Sequence, residues 1–217
     1  MKQAIYILIV AAGILSAQDQ SGLQIARLKY SGGGDWYNDP SSEINLLKFI
    51  GENTSISVNP EYVFVDIATD DLYSYPILFI TGHGNIILSD SETEKLRTYC
   101  ERGGFIYVDD DYGIDKSFRR EAKKIFPDRD LVELPFSHPI YNIVYDFPNG
   151  PPKIHEHDNK PPQGFGIYID KRLVLYYTYE SNPADGWADQ RVHNDTAEKR
   201  LEALRFGTNL ITFILTQ

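Results

Sequence analysis

Residues Tyr75–Gly113 read YPILFITGHGNIILSDSETEKLRTYCERGGFIYVDDDYG, and this stretch decides the fold. Two apolar runs, Ile77–Thr81 and Phe105–Asp109, are each followed by a polar loop, and a helical segment lies between them. Short apolar runs bounded by turn residues are typical of buried strands. Strand, helix and strand in this order predict a parallel sheet.

Both ends of the intervening helix carry recognisable signals. Ser89 and Glu92 have the spacing of a capping box, in which each side chain bonds the other residue's backbone. Gly103-Gly104 predicts the stop, because glycine tolerates the left-handed conformation found just after many helices.

The same alternation continues on both sides of this stretch. Further strands are predicted at Leu23–Tyr30, Tyr62–Ile67 and Leu131–Pro135, and further helices at Asp39–Gly51, Asp115–Phe126 and from a cap at Asp195-x-x-Glu198 to Leu215. Gly166–Tyr179 predicts a hairpin that turns at Asp170-Lys171 and adds to one edge of the sheet. We therefore predict one α/β domain with a mostly parallel sheet and an antiparallel edge hairpin.

Composition excludes several classes of protein. The chain has 217 residues, of which 42% are hydrophobic, enough for one domain with a substantial core. Its net charge of −10 and lack of a basic stripe argue against binding to nucleic acid or anionic membranes. Cys100 is the one cysteine, which excludes an internal disulfide and a zinc site with two cysteines.

The first residues have the pattern of an export signal. Lys2 precedes the apolar run Ala4–Leu15, and Leu15-Ser16-Ala17 offers small residues for cleavage before Gln18. We predict a signal peptide over residues 1–17 and a periplasmic or secreted domain over 18–217, without stable membrane insertion after cleavage. An uncleaved anchor and a buried first strand are the alternatives.

Polar side chains follow both strands of the deciding stretch. His83 lies between two glycines after the first strand, and Asp109, Asp110 and Asp111 end the second. In parallel sheets, ligands bind at the carboxyl ends of strands. His83 is a candidate metal ligand, base or anion donor, and the aspartates suit a divalent cation. The alternatives are a turn histidine bonded to backbone and a solvated acidic loop.

Two aromatic loops could complete the site. Gly33, Asp35 and Trp36 lie in a glycine-rich loop that lacks the spacing of a nucleotide-binding motif. A carboxylate beside an indole suits a sugar or peptide, and Trp187 could form the opposite wall. Either tryptophan could instead pack onto the domain.

Two further groups of metal-capable residues lie in the proline-rich segment Ser137–Gly164. His138 stands in Ser-His-Pro, and His155-Glu156-His157-Asp158 places two histidines on one side of an extended chain. They could chelate a cation, or the cluster could be a solvated loop.

Several motifs together resemble one protein family. They are GGGDWY, YPILFITGHG, LSDSETEKLRTYCERGGFIYVDD, FRREAKKIFP and LPFSHPIY. Over roughly Leu23 to Gln217 the chain is similar to a bacterial family of unknown function grouped with the class I glutamine amidotransferase-like fold. The resemblance implies a flavodoxin-like three-layer α/β/α sandwich and draws attention to His138. His83 stands where catalytic members carry a cysteine, so glutaminase activity is not expected.

The sequence leaves three functions open. The first is a module that binds a small molecule, glycan or peptide, and its candidate residues are Gly33, Asp35, Trp36, His83, Asp110 and Trp187. The second is a hydrolase, metal-assisted or using a histidine–aspartate pair, with His83, Asp109 and His138 as candidate catalytic residues. The third is an assembly component with an envelope protein partner. A divalent metal is the one cofactor considered, and its ligands are left unassigned.

Overall fold

Seven strands form one sheet in the computed structural model, which describes residues 22–217. The strands are β1 Ile25–Lys29, β2 Val63–Asp66, β3 Ile77–Ile80, β4 Phe105–Asp109, β5 Val132–Glu133, β6 Gln163–Ile169 and β7 Arg172–Tyr179. Their order is β2-β1-β3-β4-β7-β6-β5. All neighbouring pairs from β2 to β7 are parallel, and β6 runs antiparallel to both β7 and β5. The predicted mostly parallel sheet and edge hairpin are confirmed.

Helices cover both faces of this sheet. They are α1 Ser42–Asn53, α2 Asp90–Glu101, α3 Asp115–Ile125, α4 Pro183–Trp187, α5 Gln190–His193 and α6 Ala197–Thr216. One core joins the sheet to α2 and α3 through residues such as Leu96 and Phe118. The other joins it to α1 and α6 through Leu46 and Phe206. The domain is a three-layer α/β/α sandwich. Within residues 22–217, no helix is long and apolar enough to cross a membrane.

The order of the strands marks where a ligand should bind. From β1 the chain passes to β2 on one side, and it then returns to β3 on the other side of β1. This reversal opens a crevice outside the carboxyl ends of β1 and β3, where open α/β sheets bind their ligands. The glycine-rich loop after β1 and the His83 loop after β3 both lie there.

Some helix ends differ from the sequence prediction. The capping box at Ser89 is confirmed. Gly51 does not end α1, which continues to Asn53, because a hydrogen-bonded ladder tolerates one glycine in its last turn. Thr196, rather than Asp195, caps α6 by accepting the Lys199 amide hydrogen.

The predicted polar loop after β7 contains the short helices α4 and α5. Trp187 ends α4 and is 1% exposed. Its ring packs 5.9 Å from Phe79 and 5.8 Å from Tyr107, and its Nε1 donates to the Ala203 carbonyl. The prediction that Trp187 forms a pocket wall is therefore wrong, because α4 turns the indole into the core against α6.

The predicted signal peptide, residues 1–17, lies outside the described residues. Between β5 and β6, the chain from residue 134 to residue 162 contains one 3-10 turn at Pro139–Tyr141 and is otherwise irregular.

Candidate metal centre

Two overlapping groups of potential ligands lie at the carboxyl edge of the sheet. His155, Asp185 and His193 each offer one ligand atom, and these atoms lie within 4.8 Å of one another. Asp39, Asp111 and Asp185 form a second such group. Asp185 belongs to both, so its carboxylate is the centre of the cluster.

The contacts around Asp185 are short. Its Oδ2 lies 2.5 Å from His155 Nδ1, and its Oδ1 lies 3.7 Å from His193 Nε2. His193 Nε2 also lies 2.7 Å from Asp39 Oδ2. The second nitrogen of His155 faces Asp195 at 3.2 Å. A carboxylate on the far nitrogen is how proteins orient a histidine that binds metal.

Burial divides the cluster into a floor and a mouth. The side chains of Asp111 and Asp185 are 3% and 4% exposed, whereas those of His155 and His193 are 26% and 24% exposed. The carboxylates form the floor and the imidazoles border the opening. An ion held between them would remain accessible to water and to a substrate.

Burial and the short contacts between these groups shift their pKa values. Burial, together with the nearby Asp185 carboxylate, raises the pKa of Asp111. Burial acts to raise the pKa of Asp185 as well, but the hydrogen bond with His155 and the charge of His193 outweigh it and lower the pKa. The pKa values of His155 and His193 are raised, chiefly by hydrogen bonds to Asp185 and Asp39 respectively. Protons or a metal ion must therefore hold the carboxylates together.

Strained backbone surrounds the cluster. Of the six non-glycine residues with left-handed φ within residues 22–217, four lie in the loops that build it: Asp39, Glu180, Asn182 and Asn194. Asn182, with φ of 52°, donates from Nδ2 to the Asp111 carbonyl and lies 3.2 Å from Asp185 Oδ2. Such conformations persist where surrounding contacts enforce them, and they concentrate at functional sites.

A buried arginine fixes the loop that carries Asp39. Arg27 on β1 is fully buried and donates to both carboxylate oxygens of Glu43, at 2.6 and 2.7 Å. Its Nη1 donates to the carbonyls of Trp36 and Asn38 at 2.9 and 2.8 Å. The strand β1 and the helix α1 thus set the position of the loop.

His83 stands beside the cluster with two aspartates. Its side chain is 51% exposed, and its Nδ1 lies 3.1 Å from Asp35 Oδ2 and 3.5 Å from Asp111 Oδ2. His83 does not pair with Asp109, its candidate partner in the sequence, because the Asp109 carboxylate accepts hydrogen bonds from Thr178 and Ala184. The loop after β1 reaches across the crevice and supplies Asp35 instead.

The carboxylates of Asp109 and Asp110 accept hydrogen bonds that fix the position of nearby backbone. Asp109 accepts hydrogen bonds from the Thr178 hydroxyl and the Ala184 amide, and burial raises its pKa to about 8. Asp110 accepts the Ile114 amide hydrogen at the start of α3, and burial raises its pKa to about 6. Successive side chains point in different directions, and of the three aspartates only Asp111 reaches the cluster.

The chain matches a protein-family model. The model described as Domain of unknown function (DUF4159) matches residues 24–215. The chain belongs to the DUF4159 family. A comparison with curated proteins gives no match.

In this DUF4159 domain, His138 lies at the opposite edge of the sheet. Its Nε2 contacts the Tyr168 hydroxyl at 3.1 Å, and its ring packs on Phe213. Tyr168 pairs with Leu173 near the start of β7, whereas Asp109 pairs with Thr178 near its end. Five residues of strand separate the two positions by about 16 Å. The prediction that His138 shares a catalytic site with His83 is wrong.

The two neighbouring histidines of the insertion have different partners. His155 joins the cluster, but His157 Nε2 lies 2.5 Å from Asn182 Oδ1, and its ring lies 4.9 Å from that of Tyr112.

The sequence prediction missed three residues of the cluster, Asp39, Asp185 and His193, and also Asp195, which contacts His155. In the sequence, only their position in the polar loops after β1 and β7 points to these residues.

The remaining predicted residues lie in the glycine-rich loop. Trp36 is partly buried, 5.3 Å from Phe64 and 5.5 Å from Tyr37. Gly33 has φ of 92° and open space where a Cβ would stand. A groove of about 890 Å³ lies between the insertion and α6 and contains none of the cluster residues.

Proposed function

We propose that this protein is a metal-assisted hydrolase whose divalent cation is held by His155, Asp185 and His193. The observation that carries the proposal is the approach of these ligand atoms to within 4.8 Å from three separate segments. Two imidazoles and one carboxylate form a donor set of catalytic zinc sites, which leave one position open for water. Water bound to such an ion ionises near neutral pH and becomes a nucleophile.

His83 is suited to move protons next to this centre. Asp35 holds Nδ1 of the ring, and among the described residues no hydrogen bond occupies Nε2. A carboxylate on one ring nitrogen fixes the tautomer and leaves the other nitrogen free for acid–base work. The half-exposed ring can therefore take a proton from the attacking water and return it to the leaving group.

Metal titration of chelator-treated protein tests the proposal. We expect wild-type protein to bind one of Zn²⁺, Mn²⁺ or Mg²⁺ in isothermal titration calorimetry, and His193→Ala and Asp185→Asn to weaken binding by at least about tenfold. His138→Ala is the matched control, since this histidine lies outside the cluster. Equal affinity in all four proteins, or no binding to wild type, would refute the proposal.

A module that binds a glycan or peptide without chemistry is the second candidate. The exposed rings of Tyr37 and Tyr112 favour it, and Tyr112 forms a β-bridge with His83. Turnover separates the two functions, because a binding module retains its ligand unchanged.

We propose two other assignments from the sequence motifs. The motifs support a place among class I glutamine amidotransferase-like folds, without the nucleophilic cysteine. The signal pattern of the first 17 residues supports export to the periplasm or the medium.

A further inference from the structure

Two exposed tyrosines stand on the rim of the candidate metal centre. Tyr37 is 61% exposed and Tyr112 is 53% exposed. Tyr37 directly precedes Asn38, and Tyr112 directly follows Asp111. A hydrogen bond between Asn38 and Asp111 joins the two loops. Tyr112 also forms an isolated β-bridge with His83. Both rings therefore start from the same part of the rim.

The Tyr112 ring is held in place. It packs on His157 at 4.9 Å between ring centroids and 30° between planes, and His157 bonds to Asn182 on the floor of the site. Tyr37 packs edge-on against Trp36. Because the ring of Tyr112 is already ordered, a ligand stacking on it loses little side-chain entropy.

The charges around these rings disfavour an anion. Five carboxylates belong to the centre and its surroundings: Asp35, Asp39, Asp111, Asp185 and Asp195. Within residues 22–217, no lysine or arginine forms an ion pair with any of them, and Arg27 is engaged by Glu43 and backbone carbonyls. One divalent cation leaves the site negative, so phosphate and sulfate groups would be repelled.

We propose that the substrate is an uncharged carbohydrate bearing an acyl group, as an ester or an N-acyl amide, that stacks on Tyr37 and Tyr112. This proposal rests on the metal-assisted hydrolase proposed above. Sugar rings present flat C–H faces to aromatic rings, and their hydroxyls donate to carboxylates such as Asp35. Both rings are more than half exposed, whereas many peptide-binding domains use a sheet edge or an apolar groove.

The reaction needs only water. The water oxygen bonds to the acyl carbon, and the acyl C–O or C–N bond breaks. One proton of the water passes through His83 to the departing alcohol or amine, and the acyl group leaves as a carboxylic acid. No oxidant, reductant or second substrate takes part.

Acetate release from defined oligosaccharides tests this substrate class. The metal-loaded protein is given tetra-N-acetylchitotetraose, acetylated xylotetraose and bis(4-nitrophenyl) phosphate. We expect acetate from at least one sugar and no cleavage of the phosphodiester. Tyr37→Ala and Tyr112→Ala should each raise KM for that sugar by about 3- to 10-fold, the value of one aromatic contact, and phenylalanine at either position should restore it.

Tyr73→Ala is the control, because Tyr73 is an exposed tyrosine before β3, at the opposite edge of the sheet. Absence of metal binding by wild type would overturn the hydrolase and this substrate class together. Metal binding with phosphodiester cleavage, with no acetate release, or with acetate release unaffected by either alanine variant would overturn the substrate class alone.

Discussion

Replacing Arg27 with methionine should destabilise the domain by about 3–5 kcal/mol, because it leaves the Glu43 carboxylate buried without its partner. Glu43 is 1% exposed, and both of its carboxylate oxygens accept from the guanidinium. For a domain of this size the loss corresponds to about 6–20 °C in melting temperature. It would remove a large part of a typical stability of about 5–15 kcal/mol.

A double variant separates the destabilisation caused by an unpaired buried charge from the destabilisation caused by lost packing. Arg27→Met combined with Glu43→Leu leaves no buried charge, so it should be more stable than Arg27→Met alone. Urea denaturation followed by circular dichroism gives the free energies of unfolding. Lys29→Met is the control on the same strand, because Lys29 and Asp66 form a half-exposed pair worth less than about 1 kcal/mol.

Two results would refute this reasoning. The first is a free energy of unfolding of Arg27→Met within about 1 kcal/mol of the wild-type value. The second is a loss of stability in the double variant equal to the sum of the losses in the two single variants. The double variant also reports on the loop, since Arg27 no longer holds the carbonyls before Asp39. If it remains folded, it should bind the cation more weakly than wild type.

Three further expectations follow from the structure. The pKa values of His155 and His193 are raised in the folded protein, so their protonation stabilises the metal-free fold. This stabilisation is fully present below the ordinary histidine pKa of about 6.5 and is lost as pH rises through the raised values. Metal affinity should rise over the same interval, and calorimetry showing equal affinity at pH 6 and pH 8 would contradict histidine ligation. Asn182→Gly should be more stable than Asn182→Ala by about 1 kcal/mol in urea, because φ of 52° is left-handed, and the reverse order would contradict the strain. Trp187→Ala should lose about 3–5 kcal/mol of folding free energy, and a loss below about 1 kcal/mol would show that the indole is not core.

The sequence predicts those parts of the fold that have local signals. Strands β3 and β4 are short apolar runs, and Ser89 with Glu92 marks the start of α2 by spacing alone. The fate of Trp187 has no local signal, because its burial depends on how α4 packs against α6.

The sequence predicts where the candidate site lies but not which residues form it. Both His83 and the aspartates after β4 lie at the expected sheet edge, since parallel strands end together. Asp185 and His193 lie more than 70 residues after Asp111 in the chain. Hydrophobic periodicity does not predict such long-range contacts between loops. Which of the three consecutive aspartates faces the site depends on the exact register of β4 and β7.

The spread of the ligand set along the chain has a consequence for how the protein acquires its cation. Asp39 follows β1 and His193 precedes α6, so the two groups of ligands are complete only after α5 has been synthesised. A ribosome-bound or unfolded chain can offer only isolated ligands, and metal affinity arises with the folded domain. A chain exported unfolded would therefore take its metal from the compartment in which it folds, and the supply there, rather than in the cytosol, would decide which ion it carries.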